Sequence, residues 1–197
     1  SRGLGDVYKR QSLNSAIWWS TQLRPERTRI ALTRVEHSAT LETARRLERE
    51  GYVLDWIDVD PVGRLDPGTL KQALGHDTVV LCIMVANNET GVLFDVAMAT
   101  ELAHRVGALA VCDATQALGK TPFSFRVSGA DFAVAASHKL HGPKGLGCIL
   151  VAGSPRIDPV IAGGGQEGGR RGGTENVPAI VGFGCAVERA VGFMEHM

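Results

Sequence analysis

An α/β domain built on a largely parallel sheet is the fold this sequence predicts, and three observations predict it. Apolar runs of strand length alternate with segments whose apolar residues recur at helical spacing. Several of the runs, such as TVVLCIMVA (78–86), are apolar almost throughout, as in strands covered on both faces. Glycines and capping residues stand at the joints between the two kinds of segment.

Taken in order, RIALTRV (29–35) is the first strand. A helix follows over 39–50, with Leu41, Ala44 and Leu47 on one face and Gly51 to stop it. YVLDWIDV (52–59) alternates like a half-buried strand. Asp66-Pro67 reads as an N-cap and an N1 proline, opening a short helix that runs to Leu74. After the apolar strand at 78–86, a helix over 95–106 puts Val96, Ala99, Ala103 and Val106 on one face, and Gly107 ends it. ALAVCDA (108–114), DFAVAAS (131–137) and GLGCILVA (145–152) are three further strands, and 176–191 is a closing helix. No repeat and no linker divides the chain.

In open sheets of this kind ligands bind beyond the carboxyl ends of the strands. The residues at those ends are Glu36 and His37, then Asn87, Asn88 and Glu89, then Asp113 with Gln116, then Ser137, His138 and Lys139. All are polar, and the topology gathers them on one rim. Lysine is among the residues least often buried, so its delivery at the mouth of a buried strand asks for a chemical reason.

Composition narrows the field. Twenty-one basic residues balance 21 acidic ones, so neither a nucleic-acid footprint nor attraction to an anionic membrane surface is expected. No uninterrupted apolar run has the ~18 residues of a membrane span and no charged-then-apolar leader pattern opens the chain, so a cytoplasmic location is expected. Cys82, Cys112, Cys148 and Cys185 lie in apolar surroundings without C-x-x-C spacing, and buried reduced thiols are expected. Twenty-four glycines in 197 residues exceed the usual ~7%. The excess is concentrated between Gly163 and Gly184.

A lysine, an aspartate, a histidine, two side-chain amides and a hydroxyl on one rim are the parts a pyridoxal phosphate site needs. The cofactor's aldehyde takes an amine to form a Schiff base, and lysine supplies it. Its pyridine nitrogen must stay protonated, and a buried carboxylate holds that proton. Lys139 and Asp113, on successive buried strands, suit the two tasks. Other readings carry less. GGGQEG (163–168) has the letters of a dinucleotide fingerprint, but no strand-to-helix context or acid ~20 residues on supports a nicotinamide site. His138 and His141 sit in a Gly-Pro loop, without a helix to aim both rings at a metal, and no metal site is expected.

The same residues carry a family resemblance. HSATLETARRLEREGY, ANNETGVLFDV, CDATQALGK, SHKLHGPKGLG and GGGQEGGRRGGTENV resemble, in order, the signature blocks of the class V aminotransferases. Within that family they are most similar to the cysteine desulfurase (NifS/IscS-like) and selenocysteine lyase branch. The resemblance runs from about Ser12 to the end of the chain. It implies the large domain of a type I pyridoxal phosphate-dependent transferase, a three-layer α/β sandwich with a mainly parallel sheet. By position it implies Lys139 as the Schiff-base lysine, Asp113 as the pyridinium partner, and His37 as the stacking residue and a handler of substrate protons. Asn88 and Gln116 would bond the ring's phenolic oxygen, and Ser137 and His138 the phosphate. Thr174 would reach the phosphate of a neighbouring subunit, which implies a homodimer.

The sequence also departs from that pattern. The family's mobile cysteine loop, far beyond the lysine, has no counterpart before Met197, and a C-terminal small domain is not expected in 12–197. SLNSAI (12–17) resembles the start of a helix that follows a phosphate-binding turn in the family, and SRGLGDVYKRQ (1–11) stands in that turn's place as a leader of non-native character. The chain therefore reads as an interior fragment, inactive alone, with exposed apolar surface. For the parent protein the resemblance implies removal of sulfur or selenium from a cysteine-like amino acid and its passage to an acceptor protein for iron–sulfur cluster assembly. A class V transaminase or another pyridoxal phosphate lyase is the near alternative, and a non-catalytic binding remnant the distant one.

Overall fold

Each apolar run becomes a strand, and the strands join one six-stranded sheet in the order β2-β1-β3-β4-β5-β6. The computed structural model describes residues 5–155 and 157–194. The strands are β1 (Arg29–Thr33), β2 (Val53–Ile57), β3 (Thr78–Met84), β4 (Leu109–Asp113), β5 (Phe132–Ala136) and β6 (Gly147–Val151). The first five are parallel, and β6 runs antiparallel beside β5. Six helices accompany them: α1 (Gly5–Leu23), α2 (Ser38–Arg49), α3 (Pro67–Ala73), α4 (Val96–Arg105), the single turn α5 (Phe125–Ser128), and α6 (Val177–Met194).

Alternation along the strands divides the interior into two layers. Ile30, Leu32, Val80, Cys82, Val111, Phe132 and Val134 meet Leu13, Ile17 and Trp19 of α1 and Ala39, Ala44 and Leu47 of α2. Ala31, Leu81, Ile83, Ala110, Cys112 and Ala133 point the other way, against Leu70 of α3 and Val96, Ala99 and Ala103 of α4. Helices on both faces of a mainly parallel sheet make the three-layer sandwich the sequence predicts. Every residue of β3, β4 and β5 is buried.

The caps behave as read. The Asp66 carboxylate accepts the Thr69 N–H at 2.7 Å, and that contact holds its pKa below the ordinary range. Asp95 accepts from Met98 N–H at 2.9 Å at the start of α4. Gly51 and Gly107, at φ +104° and +75°, stop α2 and α4 in the left-handed region. The element ends differ from the sequence reading by one to three residues, and the turn at α5 escaped it.

Three expectations need correction or bounding. The cysteines are not uniformly interior. Cys82 and Cys112 are buried, Cys148 is half-buried, and Cys185 is exposed, because α6 buries only Ala179 and Phe183 and turns its other faces outward. That helix leaves Val177, Val181 and Phe193 60%, 60% and 73% exposed. By length and composition α6 is also apolar enough to cross a membrane, which no uninterrupted run in the sequence suggested, since Glu188 and Arg189 interrupt it. Its inner side packs on Leu140 and Leu118 through Phe183, Val187 and Ala190, as a helix of this domain does. Of the leader expected at 1–11, residues 1–4 lie outside the described residues, while α1 begins at Gly5.

The load on the central layer can be measured. Phe132 is 1% exposed and its ring centroid lies 6.1 Å from that of Trp19, so strand β5 and helix α1 lock through this pair. Phe132→Ala should destabilise the protein by about 3–5 kcal/mol, read as the shift in a urea unfolding midpoint. Val127→Ala, at a side chain 74% exposed, should move it by less than about 0.5 kcal/mol.

Candidate active site at the carboxyl end of the sheet

Asp113 closes β4 and is paired in register with Met84 of β3 on one side and Val134 of β5 on the other. It is buried, and its Oδ1 accepts the Thr115 N–H at 3.0 Å. That bond turns the chain away from the sheet as soon as the strand ends. Consecutive turns follow, with Leu118 N–H to Ala114 O at 2.9 Å and Thr121 N–H to Ala117 O at 3.0 Å. Asp113 therefore caps the turn that follows it, and the bond helps to orient the carboxylate at the rim.

On the neighbouring strand, β5 ends at Ala136 and a 3₁₀ turn over Ser137–Leu140 carries Ser137, His138 and Lys139. The sequence reading kept Ser137 in the strand, whereas its N–H already bonds to Leu146 O across the turn at 3.0 Å. His141 ends the turn at φ 61°, a left-handed conformation uncommon for a residue with a side chain. Gly142 then passes so close that a Cβ on it would lie 2.3 Å from Ser137 Oγ. The glycine is needed there for close approach, not for its φ.

The β1 end supplies Glu36 and His37. His37 caps α2, and its Nδ1 accepts the Ala39 N–H at 3.0 Å. With Nδ1 accepting, the neutral ring carries its proton on Nε2. Glu36 is buried, and its Oε1 accepts from Thr33 Oγ1 at 2.8 Å and from Met84 N–H at 3.0 Å. This carboxylate joins the end of β1 to the end of β3, and sequence reading gave it no task. Asn87 is structural: its amide donates to Val35 O at 3.2 Å and its Oδ1 accepts the Glu89 and Thr90 N–H groups at 2.9 Å. Asn88 beside it is exposed.

The turn that carries Lys120 packs on the turn that carries Lys139, a Cβ on Gly119 coming within 2.5 Å of Leu140. Lys120 donates to Gln116 Oε1 at 2.6 Å, and its pKa is lowered by burial and then by the charge of Lys139. Lys139, Lys120 and Gln116 thus share one neighbourhood on the rim. Lys120 was missed in the sequence, although it stands in the quoted CDATQALGK block.

Thr174 lies elsewhere. It is exposed on the wall of a cavity of about 740 Å³ that Ser15, Trp19, Ile149, Arg171 and Phe183 also line, and His37, Asn88, Asp113, Gln116, Ser137, His138 and Lys139 are not among the residues that line it. The glycine-rich segment above it folds back on itself: a Cβ on Gly172 would lie 2.6 Å from Gly163 Cα. Backbone crossing backbone explains those two glycines without any ligand.

The chemistry of the set fits a phosphorylated aldehyde cofactor. Ser137 is fully buried, and its hydroxyl has no hydrogen-bond partner among the described residues. The Thr115 hydroxyl is in the same condition. Buried hydroxyls without partners are costly in a finished interior and sit well where an anion's oxygens complete them.

Comparison with known proteins identifies the family of the chain. The model of one family, Aminotransferase class-V, matches residues 11–194. A cysteine desulfurase of Enterobacter agglomerans is 45% identical over 180 residues, which are 91% of this chain and 45% of that protein. A solved NifS-like protein superposes with a TM-score of 0.91 at 35% identity, over 96% of this chain and 53% of its own. SspA, solved in complex with cysteine, superposes with a TM-score of 0.87 at 30% identity, over 92% and 53%. The chain spans about half the length of the curated relatives it matches.

Thiol chemistry should separate the cysteines. Burial pushes the Cys82 and Cys112 thiols well above their ordinary range, with the Glu36 charge adding to the effect at both. A chromogenic disulfide reagent at pH 8 should label Cys185 within minutes and reach Cys82 and Cys112 only after denaturant is added. Peptide mapping of the labelled protein checks this.

Proposed function

This chain belongs to the class-V aminotransferase family, and we propose that the protein carrying it is a pyridoxal phosphate-dependent cysteine desulfurase. Its substrate would be cysteine or a cysteine-like amino acid, with sulfur (or selenium) passed to an acceptor protein. Identity to named cysteine desulfurases over most of this chain supports the reading. The observation that carries it is local. Hydrogen-bonded neighbours β4 and β5 deliver a buried carboxylate and a lysine-bearing turn to the same end of the sheet.

When bound, the cofactor supplies an electron sink for negative charge that develops beside the substrate's amino group. Lys139 would hold the cofactor's aldehyde carbon through its amine. Asp113, buried and oriented by the Thr115 N–H, would keep the proton on the ring nitrogen. His37 would lie against the ring and hold a proton at Nε2, the nitrogen its capping bond leaves protonated in the neutral form. Ser137 and His138 would bind the phosphate, the Ser137 hydroxyl gaining the partner it lacks. Gln116 and Asn88 would meet the ring's phenolic oxygen. Thr174, on a different wall of the domain, would serve the site of a second copy in a homodimer.

Two measurements test the reading on the complete natural protein that carries this sequence. Lys139→Ala should abolish the cofactor that borohydride fixes to the wild-type chain; fixation that survives the substitution refutes the assignment. Ser137→Ala should weaken pyridoxal phosphate binding while leaving the cofactor-free protein as stable as before or about 1 kcal/mol more stable, because a buried orphan hydroxyl is removed. Loss of stability in the cofactor-free Ser137→Ala protein would show that the hydroxyl serves the fold alone.

A further inference from the structure

Gln116 and Lys120 stand four residues apart on the turns that follow Asp113, so their side chains share a face. The Lys120 ammonium has three N–H donors and no acceptor, so its partner at 2.6 Å on Gln116 must be the carbonyl oxygen. This settles which end of the amide is engaged. The end left to a neighbour is the NH2, which only donates.

We propose that Lys120 is a positioning residue for the cofactor: by holding Gln116 Oε1 it presents Gln116 as a donor, matched to a ring oxygen that carries negative charge. The inference rests on the pyridoxal phosphate reading above and assigns Lys120 a role within it. A freely rotating amide would present its carbonyl as often as its NH2, and the carbonyl repels an anionic oxygen. Lys120 is itself anchored. Backbone bonds from Lys120 N–H to Ala117 O at 2.9 Å and from Thr121 N–H to Ala117 O at 3.0 Å fix the end of its turn. The turn is set in place from below, where a Cβ on Gly119 would meet Ala190 and Leu140 side-chain atoms at 2.5 Å. Leu140 follows Lys139 in the 3₁₀ turn, so this packing brings the pair near the proposed cofactor lysine, in keeping with the lowered pKa of Lys120.

A double-mutant cycle on the complete natural protein tests the proposal, with pyridoxal phosphate titrations read by visible absorbance. Lys120→Met should weaken binding about fivefold, the loss of one charge-assisted bond at a partly exposed position. It should also move the bound cofactor's visible band toward that of Gln116→Ala. In the Gln116→Ala background, Lys120→Met should change affinity less than twofold and leave the band where it is. Lys120→Arg, which keeps a donor, should restore most of the affinity. Equal losses from Lys120→Met in both backgrounds would overturn the proposal, since Lys120 would then act as a general positive charge on the phosphate. No change in affinity or band in the wild-type background would overturn it equally. Wild-type protein that binds no pyridoxal phosphate at all would instead remove the functional reading on which the proposal stands. Lys120 is exposed, so these substitutions leave the core untouched.

Discussion

A strand covered on both faces can carry a polar side chain only where it ends, and that constraint organises this molecule. Strands β3, β4 and β5 are buried along their whole length, and β4 reaches its first charged side chain at Asp113. Parallel connection then puts the carboxyl ends of β1, β3, β4 and β5 on the same edge. Chemistry gathers there because the interior excludes it elsewhere. Glu36 and Asp113 each accept a backbone N–H, from Met84 and Thr115, and Glu36 also accepts the Thr33 hydroxyl, so main chain helps to orient both carboxylates.

That logic explains what was legible beforehand. Apolar runs such as 78–86 and 108–114 announce buried strands, and the polar letters that interrupt them mark the rim. His37, Asp113, Gln116, Ser137 and Lys139 were named as candidates in this way, and the resemblance of the ordered blocks suggested a role for each. The residues that escaped are those whose meaning is spatial. Glu36 matters because β1 and β3 are neighbours although β2 lies between them in sequence. Lys120 looks like any solvated lysine until the turns after Asp113 bring it over Gln116. The reversed direction of β6 was equally hidden, since a run of apolar residues has no sense of direction. Cys185 misled because its apolar neighbours suggest burial, while α6 rests on the domain by one narrow side.

The position of Thr174 carries a second lesson. It belongs to the same set of family blocks as Lys139, yet it faces a cavity that neither Asp113 nor Lys139 lines. Residues that serve one cofactor within one chain are expected on one rim. Thr174 is turned to another wall, and the homodimer proposed above is the arrangement that would bring it to such a rim. The exposed apolar side of α6, with Val177, Val181 and Phe193, lies on the segment that follows Thr174, and it gives that arrangement surface to bury.

Charge placement explains how a lysine and an acid can work on the same rim without cancelling each other. A carboxylate and an ammonium left in contact in a desolvated site form an ion pair whose separation is costly. Asp113 here is held by a backbone N–H at its Oδ1, and Lys120 is held by an uncharged amide. Both bonds are made within the turns that leave β4. Two amines in one neighbourhood repel, and that repulsion, added to burial, weakens the grip of Lys120 on its proton. Acid and amine thus stand on the same rim, each fixed by a bond made within the turns that follow β4.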